Sequence, residues 1–176
     1  MPPPERLSAA GLALRSLLWA LLFPGLLAGY VPWRYFGLRD VVLDLQQPLQ
    51  WLGLLGVAAG AALLAVCILE FARRGHGTLS PADPPRALVV RGPYRYVRNP
   101  MYLAVTLIIL GEVLLTRSRG LFGYWVVWFV AVNLFVLGYE EPSLRRHFGA
   151  AYQRYAAEVG RWVPRLRPGS GGSDVL

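Results

Sequence analysis

The chain has 176 residues, 55% of them hydrophobic, with a formal net charge of +8 and a mean hydropathy of +0.41. A soluble domain of this size is less apolar. All 18 basic residues are arginine, and they fall between apolar runs rather than on one soluble basic face, which argues for a membrane and against nucleic acid.

In chain order, residues 1–7 (Met-Pro-Pro-Pro-Glu-Arg-Leu) read as a disordered tail. From about Ala10 to Val31 the chain is apolar apart from Arg15 and Pro24, enough to cross about 30 Å of hydrocarbon. No small-residue cleavage motif clearly comes after it, so the run reads as a retained anchor rather than a signal peptide. Pro24-Gly25 is expected to kink it. Pro32 to Pro48 is a connection whose charges (Arg34, Arg39, Asp40, Asp44) cancel. Trp33, Tyr35 and Trp51 stand at interfacial positions near its ends.

Leu49 to about Phe71 is a second span, with Gly53, Gly56 and Gly60 at helical spacing. Such small residues let another helix approach closely. Cys67, the single cysteine, lies inside this run as a packing residue. One cysteine rules out a disulfide within the chain and a cysteine zinc site. Glu70 at the far end is placed at the interface.

Residues 72–98 are polar and carry six arginines against Asp83. Pro81, Pro84 and Pro85 exclude a long helix there. Leu88-Val89-Val90 reads as an extended piece or an interfacial turn. Then comes Arg91-Gly92-Pro93-Tyr94-Arg95-Tyr96-Val97-Arg98-Asn99-Pro100-Met101-Tyr102, basic, aromatic and rich in turn formers. Gly92-Pro93 signals a turn, Asn99 suits a helix cap and Pro100 the first helical position. The positive end of the new helix should lie beside Arg95 and Arg98.

Met101 to Thr116 is a third apolar run, short for a full span. Glu112 within it needs a partner or water, and Arg117 or Arg119 is expected to supply one. Arg117-Ser118-Arg119-Gly120 reads as a tight turn, so Leu121 to Tyr139 returns antiparallel as a fourth span. From Glu140 onward, Leu144, Phe148, Tyr152, Tyr155 and Val159 recur at steps of three and four. That is an amphipathic helix, on the membrane surface or folded over residues 72–98. Trp162-Val163-Pro164-Arg165 ends it.

The expected fold is therefore all-α, a polytopic membrane helix bundle of about four spans with a C-terminal amphipathic cytosolic helix. Residues 1–168 form one membrane domain: a first helical pair (9–71), a cytosolic loop (72–100), a second pair (101–139) and a cap (140–168). Residues 169–176 are a disordered tail. Arginine counting places the loop and the cap on the cytosolic side, in a bacterial inner membrane.

Taken alone, the arginines of the 91–102 stretch read as a topology signal, and Glu140-Glu141, with Pro142 next, as a solvated helix start. The span arithmetic, however, brings both to similar depth. Carboxylates on one wall, and arginines with free helix N–H groups on the other, suit a zwitterionic ligand with a cationic centre. Tyrosine faces add attraction for a cation.

Three separated stretches carry a resemblance: Gly92–Leu103 (Gly-Pro-Tyr-Arg-Tyr-Val-Arg-Asn-Pro-Met-Tyr-Leu), Glu140–Leu144 (Glu-Glu-Pro-Ser-Leu) and Phe148–Tyr155 (Phe-Gly-Ala-Ala-Tyr-Gln-Arg-Tyr). Together the sequence resembles the isoprenylcysteine carboxyl methyltransferase / phospholipid methyltransferase family of integral membrane enzymes. The resemblance covers Arg91 to about Pro168. It implies S-adenosylmethionine as cofactor, held between membrane helices and a cytosolic cap. It implies Tyr94, Arg95, Arg98, Asn99, Pro100, Tyr102, Leu103, Glu140 and Glu141 as cofactor-binding residues, with Glu140 and Asn99 as the catalytic pair. Its partners would be the lipid bilayer and an amphiphilic or apolar methyl acceptor: an isoprenylcysteine carboxylate, a phospholipid amine or a thiol. No metal and no nucleic acid are expected.

Three positions depart from the family pattern. Asn99 stands where many members have histidine, and an amide does not titrate near neutrality. Phe135-Val136-Leu137-Gly138 holds no arginine of the kind that precedes the glutamate pair in enzymes acting on prenylated cysteine, which weakens the case for an acidic acceptor. Ala104 replaces a frequent glycine. A soluble methyltransferase is excluded, since no glycine-rich turn sits in an alternating strand–helix pattern. Two alternatives stay open: a membrane reductase of the sterol-reductase type using a nicotinamide cofactor, and a non-catalytic membrane protein.

Overall fold

The computed structural model describes residues 22–44, 46–74, 88 and 90–166. The expectations for the N-terminal tail, the first part of the first apolar run, the proline-rich part of the 72–98 segment and the C-terminal tail lie outside these residues. The described residues are helical, with no strands among them. A π-helical turn (Leu26–Tyr30) leads into α1 (Val31–Tyr35), and after it come α2 (Pro48–Arg74), α3 (Pro100–Thr116) and α4 (Arg119–Phe135). A second π-helical turn (Val136–Glu140) then leads into α5 (Glu141–Glu158).

Two helical stretches are long and apolar enough to cross a membrane, Pro48–Glu70 and Arg119–Glu158; α3 is apolar but shorter. The uncharged apolar part of the Arg119–Glu158 stretch ends at Tyr139, just before Glu140 and α5.

Glycine sets how α2 and α3 pack. A Cβ on Gly53 would lie 2.8 Å from the Gly111 carbonyl oxygen, and one on Gly60 2.7 Å from that of Ala104. Since Gly53 meets Gly111 and Leu115 while Gly60 meets Ala104 and Ile108, the two helices run antiparallel with their backbones in contact. This is the close approach that the glycine spacing predicts. Pro100 opens α3, where its missing N–H leaves no bond unmade. At the other end Arg117 takes a left-handed backbone (φ 53°) and its N–H donates to the Val113 carbonyl at 2.8 Å. The Ser118 hydroxyl accepts from the Leu121 N–H at 3.2 Å, capping α4. With two residues between them, α3 and α4 are antiparallel neighbours. Ala28, Val105, Ile108, Ile109 and Leu121 form their shared core, against which Tyr124, Trp125 and Trp128 pack.

Both π-helical turns end two residues before a proline, Pro32 and Pro142. A proline has no N–H for the carbonyl four residues back and its ring crowds that carbonyl. The helix relieves this by widening one turn. The described part of the first apolar run carries a π turn, Leu26–Tyr30, just past Pro24-Gly25.

Two further expectations are corrected. Arg117 does not partner Glu112: it hydrogen-bonds Gln47 instead, because its left-handed backbone carries the guanidinium toward the 44–50 connection. Glu112 is buried in α3, and its Oε2 has no hydrogen-bond partner. The tail helix is not one uninterrupted helix. Gly149 breaks it with φ 50° and ψ −125°, a conformation open essentially only to glycine. Beyond the break, Tyr152, Tyr155 and Val159 bury themselves with Leu88 and Val90. The apolar island of the 72–98 segment therefore lands on α5.

Candidate active site

The C-terminal end of α2, the N-terminal end of α3 and the junction of α4 with α5 lie at one end of the bundle. Glu70 closes that end of α2 and lies against Gly92, where a Cβ would come 3.1 Å from its Cγ. Residues Gly92–Arg95 form a 3₁₀ turn that holds Tyr94 and Arg95 half-buried. The Tyr94 carbonyl accepts a 2.8 Å bond from the Tyr155 hydroxyl, which ties this turn to α5.

The first turn of α3 reaches the second motif directly. The Tyr102 hydroxyl donates to Glu140 Oε2 at 2.8 Å. The two were expected to face each other across a hollow; in the structure they touch. A cavity of roughly 270 Å³ lies at the other end of α3, lined by Phe36, Asp40, Gln50 and Arg117 among others, and none of the motif residues lines it.

Glu141 is buried and saturated. Arg161 forks onto it, Nε to Oε1 at 2.6 Å and Nη2 to Oε2 at 2.9 Å. Arg98 Nη1 lies 3.1 Å from Oε1, and the exposed Arg145 contributes more weakly at 3.9 Å. The adjacent glutamates therefore diverge. Burial raises the Glu140 carboxyl above the usual range; the Tyr102 hydrogen bond opposes this and the neighbouring Glu141 charge adds to it. Burial also pushes Glu141 upward, but the Arg161 hydrogen bonds and the charges of Arg98, Arg161 and Arg145 outweigh it and hold the carboxyl below the usual range. The π turn before them places this pair, since an extra residue in one turn rotates the rest of the helix by about 100°.

Asn99 stands at the start of α3 without capping it through its side chain. Its amide nitrogen donates instead to the Arg161 carbonyl at 3.3 Å, and only its own carbonyl joins the helix, accepting from the Leu103 N–H at 3.2 Å. The cap is lost because the amide has a longer-range partner. Pro100 is fully buried and Leu103 half-buried, so both contribute apolar surface. Arg98 Nε is buried and has no hydrogen-bond partner.

A third contributor was not anticipated. After α5 the chain forms a strap, residues 160–165, across the start of α3. Val97 and Gly160 form a parallel bridge, the Arg98 N–H donates to the Gly160 carbonyl at 2.9 Å, and the Arg165 N–H to the Tyr96 carbonyl at 3.0 Å. Gly160 has no room for a side chain, since a Cβ would meet the Val163 carbonyl oxygen at 2.6 Å. Trp162 Nε1 donates to Asn133 Oδ1 on α4 at 2.9 Å, and the Trp162 ring lies edge-on to Tyr102 with centroids 6.4 Å apart. Arg161 and Trp162 come after the end of a helical period and carry no local pattern. Asn133 did carry a signal: it is the only amide in the apolar run Leu121–Tyr139, and a polar group at that depth asks for a partner.

The arrangement sets a protonatable carboxyl against Tyr102, next in the chain to a carboxylate that binds the Arg98 guanidinium, whose Nε has no hydrogen-bond partner. The family model for phospholipid methyltransferase matches residues 49–151. No curated protein and no solved structure matches the chain. The matched segment runs from α2 through both glutamates into the second half of α5, more than half of the sequence, and the chain belongs to the phospholipid methyltransferase family, a family of membrane methyltransferases.

Proposed function

We propose that the chain is an S-adenosylmethionine-dependent methyltransferase with four spans, its site facing the cytosol, acting on a lipid-like or small apolar acceptor. The observation that carries this reading is the Tyr102–Glu140 hydrogen bond. It joins two family motifs, nearly forty residues apart in sequence, at one polar end of an otherwise apolar bundle.

The residues present fit the cofactor. Arg98 Nε is buried without a partner, which suits a carboxylate. Glu140 has Tyr102 as its bonded neighbour and, when ionised, suits the cationic parts of the same molecule. Tyr94, Arg95, Asn99, Pro100 and Leu103 complete the surround. S-adenosylmethionine supplies a methyl group already activated on a sulfonium. What remains for the protein is alignment, exclusion of water and control of one proton.

Glu140 takes the proton from an amine or thiol acceptor, a role its raised affinity for protons favours. Tyr102 orients that carboxylate. Glu141, both oxygens engaged by arginines, organises the site rather than meeting the ligand. Asn99 anchors the strap by its bond to the Arg161 carbonyl and positions the first turn of α3, so its place in the reaction is through the surround. Tyr102, backed by the Trp162 ring, covers one side of the Glu140 carboxylate.

The test is the transfer of radiolabelled methyl groups to lipids and thiols in membranes of cells with and without the gene. A labelled product that depends on the gene supports the reading; its absence across lipid, thiol and carboxylate fractions contradicts it.

A further inference from the structure

Trp162 lies beyond the segment that the family model matches and outside all three motifs. Its indole N–H is bonded to Asn133 Oδ1 at 2.9 Å. Asn133 in turn donates its amide to the Phe129 carbonyl at 2.8 Å. An amide inside an apolar span is expensive to keep, and here both of its ends are engaged, one of them in holding an indole. The Phe129 ring lies 5.7 Å from that indole and the Tyr102 ring 6.4 Å from it. Trp162 thus bridges α3 and α4 beside the tyrosine that bonds Glu140.

The strap does not need the indole to stay in place. Arg161 is forked onto Glu141, Asn99 holds the Arg161 carbonyl, and backbone bonds fix Gly160 and Arg165. With those ties in place, the indole surface beside Tyr102 is not needed to hold the strap.

We infer that Trp162 is the specificity-determining wall of the site. A substituent on the reacting atom of the acceptor packs against the indole, and the Asn133 bond fixes how much room it has. The inference rests on the methyltransferase reading and goes beyond it in assigning the limit on acceptor bulk to one residue.

The experiment measures kcat/KM for methyl transfer from S-adenosylmethionine to probe pairs that differ only in bulk at the reacting group. The pairs are phosphatidylethanolamine and its N,N-dimethyl derivative, 1-octanethiol and 2-octanethiol, and dodecanoate and 2-methyldodecanoate. Donor affinity is measured alongside. Trp162→Ala is expected to shift the ratio toward the bulkier member of the active pair by about tenfold, the scale of one or two methylene-sized contacts, with donor affinity unchanged. Asn133→Leu, which keeps the indole but removes its anchor, is expected to shift the ratio the same way by a smaller factor, and Trp162→Phe to lie between wild type and Trp162→Ala. Ratios that stay at the wild-type value, or variants whose transfer to both members falls in parallel with donor affinity, overturn the inference and leave the methyltransferase reading standing. Wild-type protein that transfers to none of the probes overturns both.

Discussion

The Tyr102 hydroxyl donates a 2.8 Å hydrogen bond to Glu140, so the first turn of α3 and the last residue of the second π-helical turn act as one unit. Removing the hydroxyl while keeping the ring, in Tyr102→Phe, is expected to lower kcat/KM by about tenfold or more, as for the loss of one hydrogen bond to a charged group. Glu140→Gln, which cannot take a proton, is expected to lower kcat by about 10²–10⁴-fold. Thermal melts of both variants in detergent should stay near wild type.

The same carboxyl predicts a pH profile. Glu140 must be ionised to accept a proton, and burial raises its pKa. Activity should therefore fall on the acid side at a pH above the ordinary carboxylate value of about 4.3. Rate–pH profiles should show this limb in the wild type and not in the residual activity of Glu140→Gln.

Glu141 predicts stability instead. Its pKa is held below the unfolded value by Arg161 and Arg98 against the opposing effect of burial. Its contribution is fully present above about pH 4.3 and is lost as the pH falls through the lower folded value. Glu141→Gln leaves Arg98, whose side chain is 11% exposed, without its countercharge. A loss of about 3 kcal/mol is expected, read as a lower midpoint in denaturant and a flatter acid limb of the stability–pH curve.

Close packing of α2 on α3 makes Gly60 intolerant of a side chain, since a Cβ there falls 2.7 Å from the Ala104 carbonyl oxygen. Gly60→Val is expected to destabilise the bundle by about 1–3 kcal/mol. Ala62→Leu, at an exposed position of the same helix, should change stability by no more than about 0.5 kcal/mol. Melting temperatures of the two purified variants compare them directly.

Much of this was legible in the sequence because it is local. Pro100 marks the start of α3, Arg117-Ser118 its reversal, and the glycine spacing of α2 its packing face; each depends on a few neighbouring residues. That Tyr102 and Glu140 lie at one end of the bundle could be reached from motif order and span length; their direct hydrogen bond could not. What was hidden depends on where the chain returns. Asn99 looks like a cap until Arg161, 62 residues later, takes its amide. Glu112 looks like a partner for Arg117 until the left-handed turn sends that arginine to Gln47. Gly149 sits on a sound amphipathic period, and only its backbone angles show the break. Arg161 and Trp162 lie past the last helical residue of α5, where no periodicity remains to mark a buried face.

The most direct measurement is calorimetric titration of the detergent-purified protein with S-adenosylmethionine and with its demethylated product. Saturable binding to the wild type, weakened at least about tenfold in Glu140→Gln, is the predicted result. Heat indistinguishable from dilution for both ligands, with protein that melts cooperatively, would contradict the account.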